Sequence, residues 1–474
     1  MITHHQLSTL LDGLTVTALR GNPDARVERV RFDSREVEAG DLFVAVRGTQ
    51  VDGHDYLDKA IAQGATVVVV ETLPADLPAK VTVVQVPDSA EALGRIASAY
   101  YGHPAQQMTV AGITGTNGKT TCATLLFDLF NRLGLRAGLL STIAYRIGPE
   151  TYPATHTTPD PLRLQETLAR MVEAGCEYCF MEVSSHALVQ RRVEGIPFRL
   201  AMFTNITRDH LDYHGTFAKY IQAKKLLFDQ LGEGATALVN VDDRNGQVMV
   251  QNTAATVRTF ALKRMADYRA RVLENTFDGL LLDLDGEEVA CRLHGSFNAY
   301  NLLTVYAAAR ELGLDKAETL AGLSALPGAE GRFEVLRAEG RNLTGLVDYA
   351  HTPDALKNVL TTIADISHGG RVLTVVGAGG NRDRGKRPEM GKIAAEHSDQ
   401  VIITSDNPRN EEPEAIIAEI FAGVPASLRR KVLRITDRRE AIRTACQLAQ
   451  PGDVILVAGK GHETYQEIKG QRYP

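Results

Sequence analysis

The sequence predicts an α/β protein of about three domains with parallel sheets. Three observations carry this. The chain has 474 residues, and ordinary domains take roughly 100 to 200 each. Short apolar, β-branched runs alternate with longer stretches of helical spacing, the signature of parallel α/β architecture. Two clusters break the pattern, Tyr101-Gly102-His103-Pro104 and Pro327-Gly328-Ala329-Glu330-Gly331, and they set boundaries at 1–106, 107–329 and 330–474.

In chain order, strands are expected at 42–46, 66–70, 109–112, 179–183, 201–204, 236–241, 344–347, 372–376, 401–404 and 454–457. The spacing predicts helices over 90–100, 120–133 and 216–231. In the second, Cys122, Leu125, Leu126, Leu129, Phe130 and Leu133 recur on one face, and Gly134 supplies a C-terminal cap. No fixed-period repeat or low-complexity segment interrupts the chain.

Composition excludes several classes. The apolar runs are far shorter than the roughly 18 residues a membrane-spanning helix needs. Residues 1–20 lack a basic region followed by an apolar core, so the expected location is the cytoplasm, with no membrane partner. Lys and Arg total 52 against 58 Asp and Glu, so no basic field holds a nucleic acid. Five cysteines are too few for a disulfide scaffold; Cys176 and Cys179 form a single C-x-x-C at a strand start and read as buried thiols rather than a zinc or redox pair.

The polar, Gly-rich clusters follow strands. They are Gly115-Thr116-Asn117-Gly118-Lys119-Thr120, Glu182-Val183-Ser184-Ser185-His186, 205–210, Asp348-Tyr349-Ala350-His351, 377–387, 406–409 and Gly459-Lys460-Gly461-His462-Glu463. Strand-to-helix turns are polar in any protein, but ligands of parallel sheets bind at this carboxyl edge, and seven such clusters favour an active cleft. The first is the strongest signal. Gly115 and Gly118 let the backbone curl around an anion, Lys119 reaches the outer phosphates, and Thr120 offers a hydroxyl to Mg2+ at a helix start. A literal Walker A pattern would need glycine at 113, which is Ile113; the physical requirements for ATP binding are met nonetheless.

Glu182 and His210 each follow a strand and are candidate Mg2+ ligands, although a satisfied carboxylate and a packed histidine explain each equally well alone. Lys224 is more informative. In 216–231 it falls in the middle of a stripe of Phe217, Tyr220, Ile221, Leu227, Phe228 and Leu231, with Lys225 at its edge. A buried ammonium needs a partner or must be neutralised; the alternative is a snorkelling side chain.

Taken together, Gly115-Thr-Asn-Gly-Lys-Thr-Thr121, Met181-Glu-Val-Ser-Ser-His186, Thr207-Arg-Asp-His-Leu-Asp-Tyr-His214, Asp348-Tyr-Ala-His351 and Asp406-Asn-Pro-Arg409 resemble the motifs of the Mur ligases. The resemblance runs from Asp33-Ser-Arg35 to Gly459-Lys-Gly-His-Glu463. It implies an N-terminal domain (1–106) for a UDP-linked substrate, a central ATPase domain (107–329) and a Rossmann-like C-terminal domain (330–474) for the amino acid. It also implies the reaction. ATP phosphorylates the D-Glu γ-carboxylate of UDP-N-acetylmuramoyl-L-Ala-D-Glu, and the amine of meso-2,6-diaminopimelate attacks the acyl phosphate in peptidoglycan precursor synthesis.

By position, the resemblance implies catalytic roles for Lys119, Glu182, His210 and Lys224. Thr120 and Glu182 match ligands of one Mg2+, and His210 with a CO2-derived carbamate on Lys224 match the surroundings of another. ATP contacts map to Gly115, Thr116, Asn117, Gly118, Lys119, Thr120, Thr121, Asn301, Arg332 and Asp348. Contacts to the UDP-linked substrate map to Phe32, Ser34, Thr49, Gln50, Val51, His156, Thr157, Thr158, Ser184, Gln190 and Arg192; His156 stands where the pattern has asparagine. Diaminopimelate contacts map to Arg382, Asp406, Asn407, Pro408, Arg409, Gly459 and Glu463. A monomer is expected.

Arg409 selects among amino acids. Meso-diaminopimelate differs from lysine by one carboxylate, which a guanidinium can bind bidentately. Two alternatives stand at this point: a related ligase using lysine or an acid substrate of the folylpolyglutamate type, and a nucleotide-dependent regulatory protein without ligase chemistry. Asn381-Arg-Asp-Arg-Gly-Lys-Arg387 reads as a local anion site rather than a nucleic-acid patch, and Gly377-Ala-Gly379-Gly380 lacks the full dinucleotide fingerprint.

Overall fold

The computed structural model describes all residues except 1–4, 49–50, 75–77, 339 and 368. Two compact units divide the chain, Met1–Gly112 with Leu135–Arg199, and Ile113–Gly134 with Leu200–Pro474. The strand Thr109–Thr114 begins in the first and ends in the second.

In the first unit, strands Val30–Arg31, Leu42–Val44, Val67–Val70 and Thr82–Gln85 run parallel, and Ala18–Arg20 adds antiparallel to the last. The period-2 geometry of a strand sends alternate residues to opposite faces. Leu42, Val44, Val67 and Val69 therefore pack into one core, and Phe43, Ala45, Val68 and Val70 into another. A sheet covered on both faces needs such unbroken apolar runs. The helix Ser89–Tyr100 starts where the Asp88 carboxylate accepts the amides of Ala90 and Glu91. Farther on, Ala137–Leu140 pairs parallel with Tyr178–Glu182, and an antiparallel pair, Ala144–Ile147 and Glu150–Pro153, extends the sheet.

In the second unit, Leu200–Phe203, Thr236–Asn240, Thr256–Ala261 and Tyr268–Thr276 pair parallel in that order. The antiparallel strands Gly279–Leu284 and Glu287–Cys291 follow. A further sheet is ordered Glu334–Ala338, Leu343–Asp348, Val454–Ala458, Val372–Val376, Gln400–Ile403 and Val432–Arg434, parallel except for its first pair. Val372, Val376, Val401, Ile403, Val454 and Leu456 face one core; Leu373, Val375, Ile402 and Ile455 face the other.

Each strand expected from the sequence is present with ends shifted by at most two residues, and 372–376 is matched without a shift. The antiparallel hairpins are additions to the expected parallel pattern. One turns at Asp285-Gly286 and another at Lys469-Gly470, each pair with both residues at positive φ, the backbone of a tight two-residue hairpin. Among the described residues no helix is long and apolar enough to cross a membrane. Cys176 and Cys179 are both buried, and burial raises both thiol pKa values.

Candidate active site

The phosphate loop connects the strand Thr109–Thr114 to the helix Lys119–Arg132. Its two glycines are required by space as well as by conformation. Gly115 has φ 154° and Gly118 φ 89°; a Cβ on the first would overlap the Thr204 hydroxyl and one on the second the Asn301 side chain. The loop is held from the turn after Leu200–Phe203. Asn205 O accepts the Thr116 amide at 2.8 Å, its Oδ1 accepts the Asn117 amide at 3.0 Å, and the Thr204 hydroxyl donates to Asn117 O at 2.6 Å. The Asn117 amide side chain donates to Asp354 at 3.1 Å.

Two lysines converge on one oxygen of this loop. Lys119 Nζ and Lys224 Nζ each donate to the Gly115 carbonyl at 2.8 Å, and Lys119 also reaches Thr116 O at 3.0 Å. Lys224 belongs to the helix Phe217–Asp229, capped by the Thr216 hydroxyl, and is 1% exposed. It does not snorkel: its Nζ lies 4.8 Å from the centre of the Tyr220 ring, whose hydroxyl meets Thr116 Oγ1 at 3.1 Å. Burial, and then the charge of Lys119, hold the Lys224 ammonium well below its ordinary pKa, against the pull of Asp209. Lys225 at the stripe's edge pairs with Asp229.

His210, at φ 52°, begins the short helix Leu211–His214. Its Nε2 lies 3.4 Å from Asp209 Oδ2, which His351 Nε2 approaches at 3.9 Å. Burial works to raise the Asp209 pKa, but His210, His351 and Lys386 prevail and it is lowered. Burial and then Lys386 push His351 down to about 4. Thr120 accepts a hydrogen bond from Arg332 Nη2 at 3.2 Å, and the Arg332 guanidinium sits 4.3 Å over the Tyr349 ring. Asn301 is ordered by Asn298 at 2.8 Å. Asp348 spends both oxygens on backbone amides, of Phe333 and of Ala350, each at 2.7 Å; burial raises its pKa against Arg332 and those amides.

The expected amino-acid residues form a connected set in the same unit. Arg409, at φ 53°, is clamped by Arg409 N to Glu467 O at 3.0 Å and Lys469 N to Arg409 O at 2.7 Å. Its Nη1 donates to Gly380 O at 2.8 Å and its Nε faces Glu467 at 3.5 Å. Arg382 is held by burial, then by Arg409, below its ordinary pKa. Asp406 Oδ1 accepts the Asn407 amide at 2.6 Å, and Gly459 approaches so closely that a Cβ there would stand 2.8 Å from Asp406 Oδ2. Asn407 Nδ2 donates to Glu463 Oε2 at 2.8 Å. Pro408 leads into Arg409. The reading of 381–387 as one anion site needs correction. Arg387 is buried between Glu411 and Glu419, Arg384 pairs with Glu419, and Lys386 is buried near Asp209, so these cations are already engaged. Among the described residues, Arg382 is the arginine of this segment without a carboxylate ion pair.

In the first unit, Glu182 is fully buried at a strand end. Its Oε1 accepts the Thr142 amide at 2.7 Å and its Oε2 the Thr142 hydroxyl at 3.2 Å; that hydroxyl lies 3.0 Å from Thr157. Thr158 donates to Glu182 O at 2.8 Å and accepts the Ser184 amide at 3.1 Å. Arg192 donates to Thr158 O at 2.8 Å and grips Gln190 Oε1. The His156 carbonyl accepts from Tyr145, and burial, then Arg192, lower the imidazole pKa. Ser34 is buried, whereas Phe32 and Val51 present large apolar side chains to solvent. Thr49 and Gln50 lie outside the described residues.

The sequence reading missed Asn205, Thr204, Asp354, Asp209, Lys386 and Lys460. Asp209 and Lys460 stood inside quoted motifs, where a charged residue between two recognised ones was the available signal. Lys386 and Asn205 also stood inside quoted segments; Thr204 acts from the turn after Leu200–Phe203 and Asp354 from the first turn of the helix Pro353–Ile366, each on a loop far away in sequence. Among the described residues no three His, Cys, Asp or Glu side chains group to hold a metal.

Three family models match the chain: "Mur ligase family, catalytic domain" over 26–101, "Mur ligase middle domain" over 113–309, and "Mur ligase, glutamate ligase domain" over 331–461. A protein of Cytophaga hutchinsonii named UDP-N-acetylmuramoyl-L-alanyl-D-glutamate–2,6-diaminopimelate ligase is 53% identical over 99% of this chain and 96% of its own length. One of the same name from Geobacillus kaustophilus is 43% identical, over 94% and 92%. A solved structure of a ligase of that name has a TM-score of 0.70 at 33% identity, over 99% and 96%. The MurF ligase of Thermotoga maritima in complex with ADP, at 20% identity and a TM-score of 0.62 over 91% and 93%, shares the fold. The chain belongs to the Mur ligase family.

Proposed function

We propose that the protein is an ATP-dependent acid–amino-acid ligase of peptidoglycan synthesis, joining meso-2,6-diaminopimelate to the D-Glu γ-carboxylate of UDP-N-acetylmuramoyl-L-Ala-D-Glu. The observation that carries the reading is the convergence of Lys119 and buried Lys224 on the Gly115 carbonyl, in a loop that opens a helix and so favours anions. The names of the near relatives support the same substrates.

The work divides among three segments, 1–106 for the UDP-linked substrate, 107–329 for ATP and 330–474 for the amino acid. Phosphoryl transfer to a carboxylate brings two anions together, so positioning and charge neutralisation carry the catalysis. The loop amides and Lys119 hold the ATP phosphates; Asn301, Arg332 and Asp348 orient the rest of the nucleotide. Arg192 and the ordered Thr158, Ser184 and Gln190 hold the peptide-linked substrate. Arg382, Asp406, Asn407, Arg409 and Glu463 orient the amine for attack, which converts a bimolecular encounter into an aligned one.

Mg2+ takes hard oxygen ligands; by the family resemblance Thr120 and Glu182 would supply a hydroxyl and a carboxylate to one ion, and a carbamate on Lys224 would supply an oxygen to another, with His210 beside it. An amine attacks CO2 only when neutral, and the burial that lowers the Lys224 pKa favours that form; the nitrogen would bond to the CO2 carbon and, counted from the ammonium, two protons would leave, so that a cation would become an anionic oxygen donor. Bound Mg2+ supplies neutralisation of the phosphate and carboxylate charge. A monomer acting in the cytoplasm is part of the proposal, since ATP and a UDP-linked precursor are cytoplasmic substrates.

The test is ADP release by purified protein given the UDP-muramoyl dipeptide and, in turn, diaminopimelate, lysine or ornithine, with mass spectrometry of the product. Diaminopimelate-dependent ADP and a tripeptide product are expected. ADP formed at the same rate whichever amino acid is added overturns the reading.

A further inference from the structure

We infer that Lys460 is a positioning residue for the incoming amino acid, setting the orientation of Asn407 and Glu463 from behind; this rests on the ligase reading above. Lys460 is buried, 8% exposed, in the turn that follows the strand Val454–Ala458. Its Nζ donates to Asn407 Oδ1 at 3.0 Å and to Glu463 Oε2 at 2.9 Å, with the Tyr465 ring 5.4 Å away.

The hydrogen-bond inventory gives these contacts their meaning. A side-chain amide can turn over and exchange its oxygen and nitrogen. Asn407 Oδ1 accepts from the Lys460 ammonium and from the Glu467 amide at 2.9 Å, and both partners are donors only. That fixes the oxygen inward, so Nδ2 is the group that points to Glu463 at 2.8 Å. Glu463 Oε2 takes both Asn407 and Lys460, while Oε1 takes the Tyr349 hydroxyl at 3.3 Å. The carboxylate is thereby held in one rotamer, and the lysine offsets its charge in a half-buried setting, where an unpaired carboxylate is costlier than in water. An amino acid carries an ammonium and a carboxylate side by side. Asn407 and Glu463 offer a donor and an acceptor locked in register, and Lys460 is what locks them.

A group that acts this way affects the amino acid and not the nucleotide. With the Lys460→Met protein, assayed beside the wild type by ADP release, the KM for diaminopimelate should rise at least tenfold. The KM for ATP and for the UDP-linked dipeptide should stay within about twofold. Lys460→Arg keeps a cation and donors and should recover most of the loss; Lys460→Gln, which keeps a donor without the charge, should fall between. A thermal melt of each variant separates misfolding from misalignment, and if the Met protein does not fold, the Gln and Arg pair carries the comparison. An unchanged diaminopimelate KM in folded variants, or an equal rise in all three KM values, overturns the inference. A wild type that does not respond to diaminopimelate overturns instead the ligase reading on which it stands.

Discussion

Arg409→Ala isolates the basis of amino-acid selection. The side chain can be removed without dismantling its surroundings, because the backbone of Arg409 is clamped independently by Glu467 O and Lys469 N. The guanidinium is aimed by Gly380 O and by Glu467. A hydrogen-bonded contact to a charged group contributes about 1.5 to 3 kcal/mol; at about 2 kcal/mol the loss in kcat/KM for diaminopimelate is roughly 30-fold. Removing the guanidinium also leaves the Glu467 carboxylate uncompensated near the arriving carboxylate, so the figure is a lower bound. Lysine has no second carboxylate to lose, so any turnover of lysine should change little, and the ratio of the two efficiencies is the sensitive quantity. Steady-state ADP release with each amino acid measures it. A diaminopimelate efficiency within threefold of wild type refutes the assignment. Gly379→Ala is an independent check, since its Cβ would stand 2.9 Å from Arg409 Nη1 and displace the guanidinium without deleting it.

Lys224→Met should lower turnover by about 100-fold or more, the scale of losing one electrostatic contact to the transition state, and wild-type activity should decline in CO2-free buffer and return with bicarbonate; activity indifferent to both rejects the carbamate. Gly115→Ala places a Cβ on the Thr204 hydroxyl at a positive φ, and titration calorimetry should show weakened ATP binding in a folded protein. Arg387→Met takes the buried guanidinium from two partly exposed carboxylates, one of which keeps Arg384, and should destabilise by about 1.5 to 3 kcal/mol, read by denaturant unfolding. The Arg387 hydrogen bonds, working against burial, hold Glu411 down to about 2, below its ordinary value. Its contribution to stability is therefore complete above pH about 4.5 and is lost as the pH falls towards 2; a melting temperature measured over that window should drop in the wild type and flatten in Arg387→Met.

What the sequence made legible follows from the range over which each signal acts. Strand runs such as 67–70 and 372–376 are buried on both faces, so all of their residues but Thr374 are apolar and the pattern is unmistakable. Lys224 was legible because helical periodicity is local. The hairpin at Asp285-Gly286 carried an equally local signal, an Asp-Gly pair between alternating apolar residues, which the parallel α/β expectation obscured. Arg387 was misread for the opposite reason. Its neighbours in sequence are cations, but its partners Glu411 and Glu419 lie 24 and 32 positions away, and a cation's role depends on what it meets in space. Asp354, which holds the phosphate loop from 237 positions away, was invisible on the same ground.

The two lysines on Gly115 show how the loop can be both stable and receptive. Both Nζ atoms lie 2.8 Å from one carbonyl oxygen, so they are no more than about 5.6 Å apart. Two unit charges at that separation repel by about 3 kcal/mol at an effective dielectric of about 20. A single carbonyl cannot offset this, and burial adds a further penalty on the lysine with no access to water. Both effects fall on Lys224, whose pKa is lowered by burial first and Lys119 second. Two releases exist: Lys224 loses its proton, or it becomes an anion. Carbamylation would do the second, and would turn a repulsion between two cations into an attraction between Lys119 and the new carboxylate. An arginine at 224 could do neither, since it stays protonated and forms no carbamate. Replacing Lys224 with arginine should therefore damage the enzyme at least as much as replacing it with methionine, an ordering that a role as a simple buried cation would reverse.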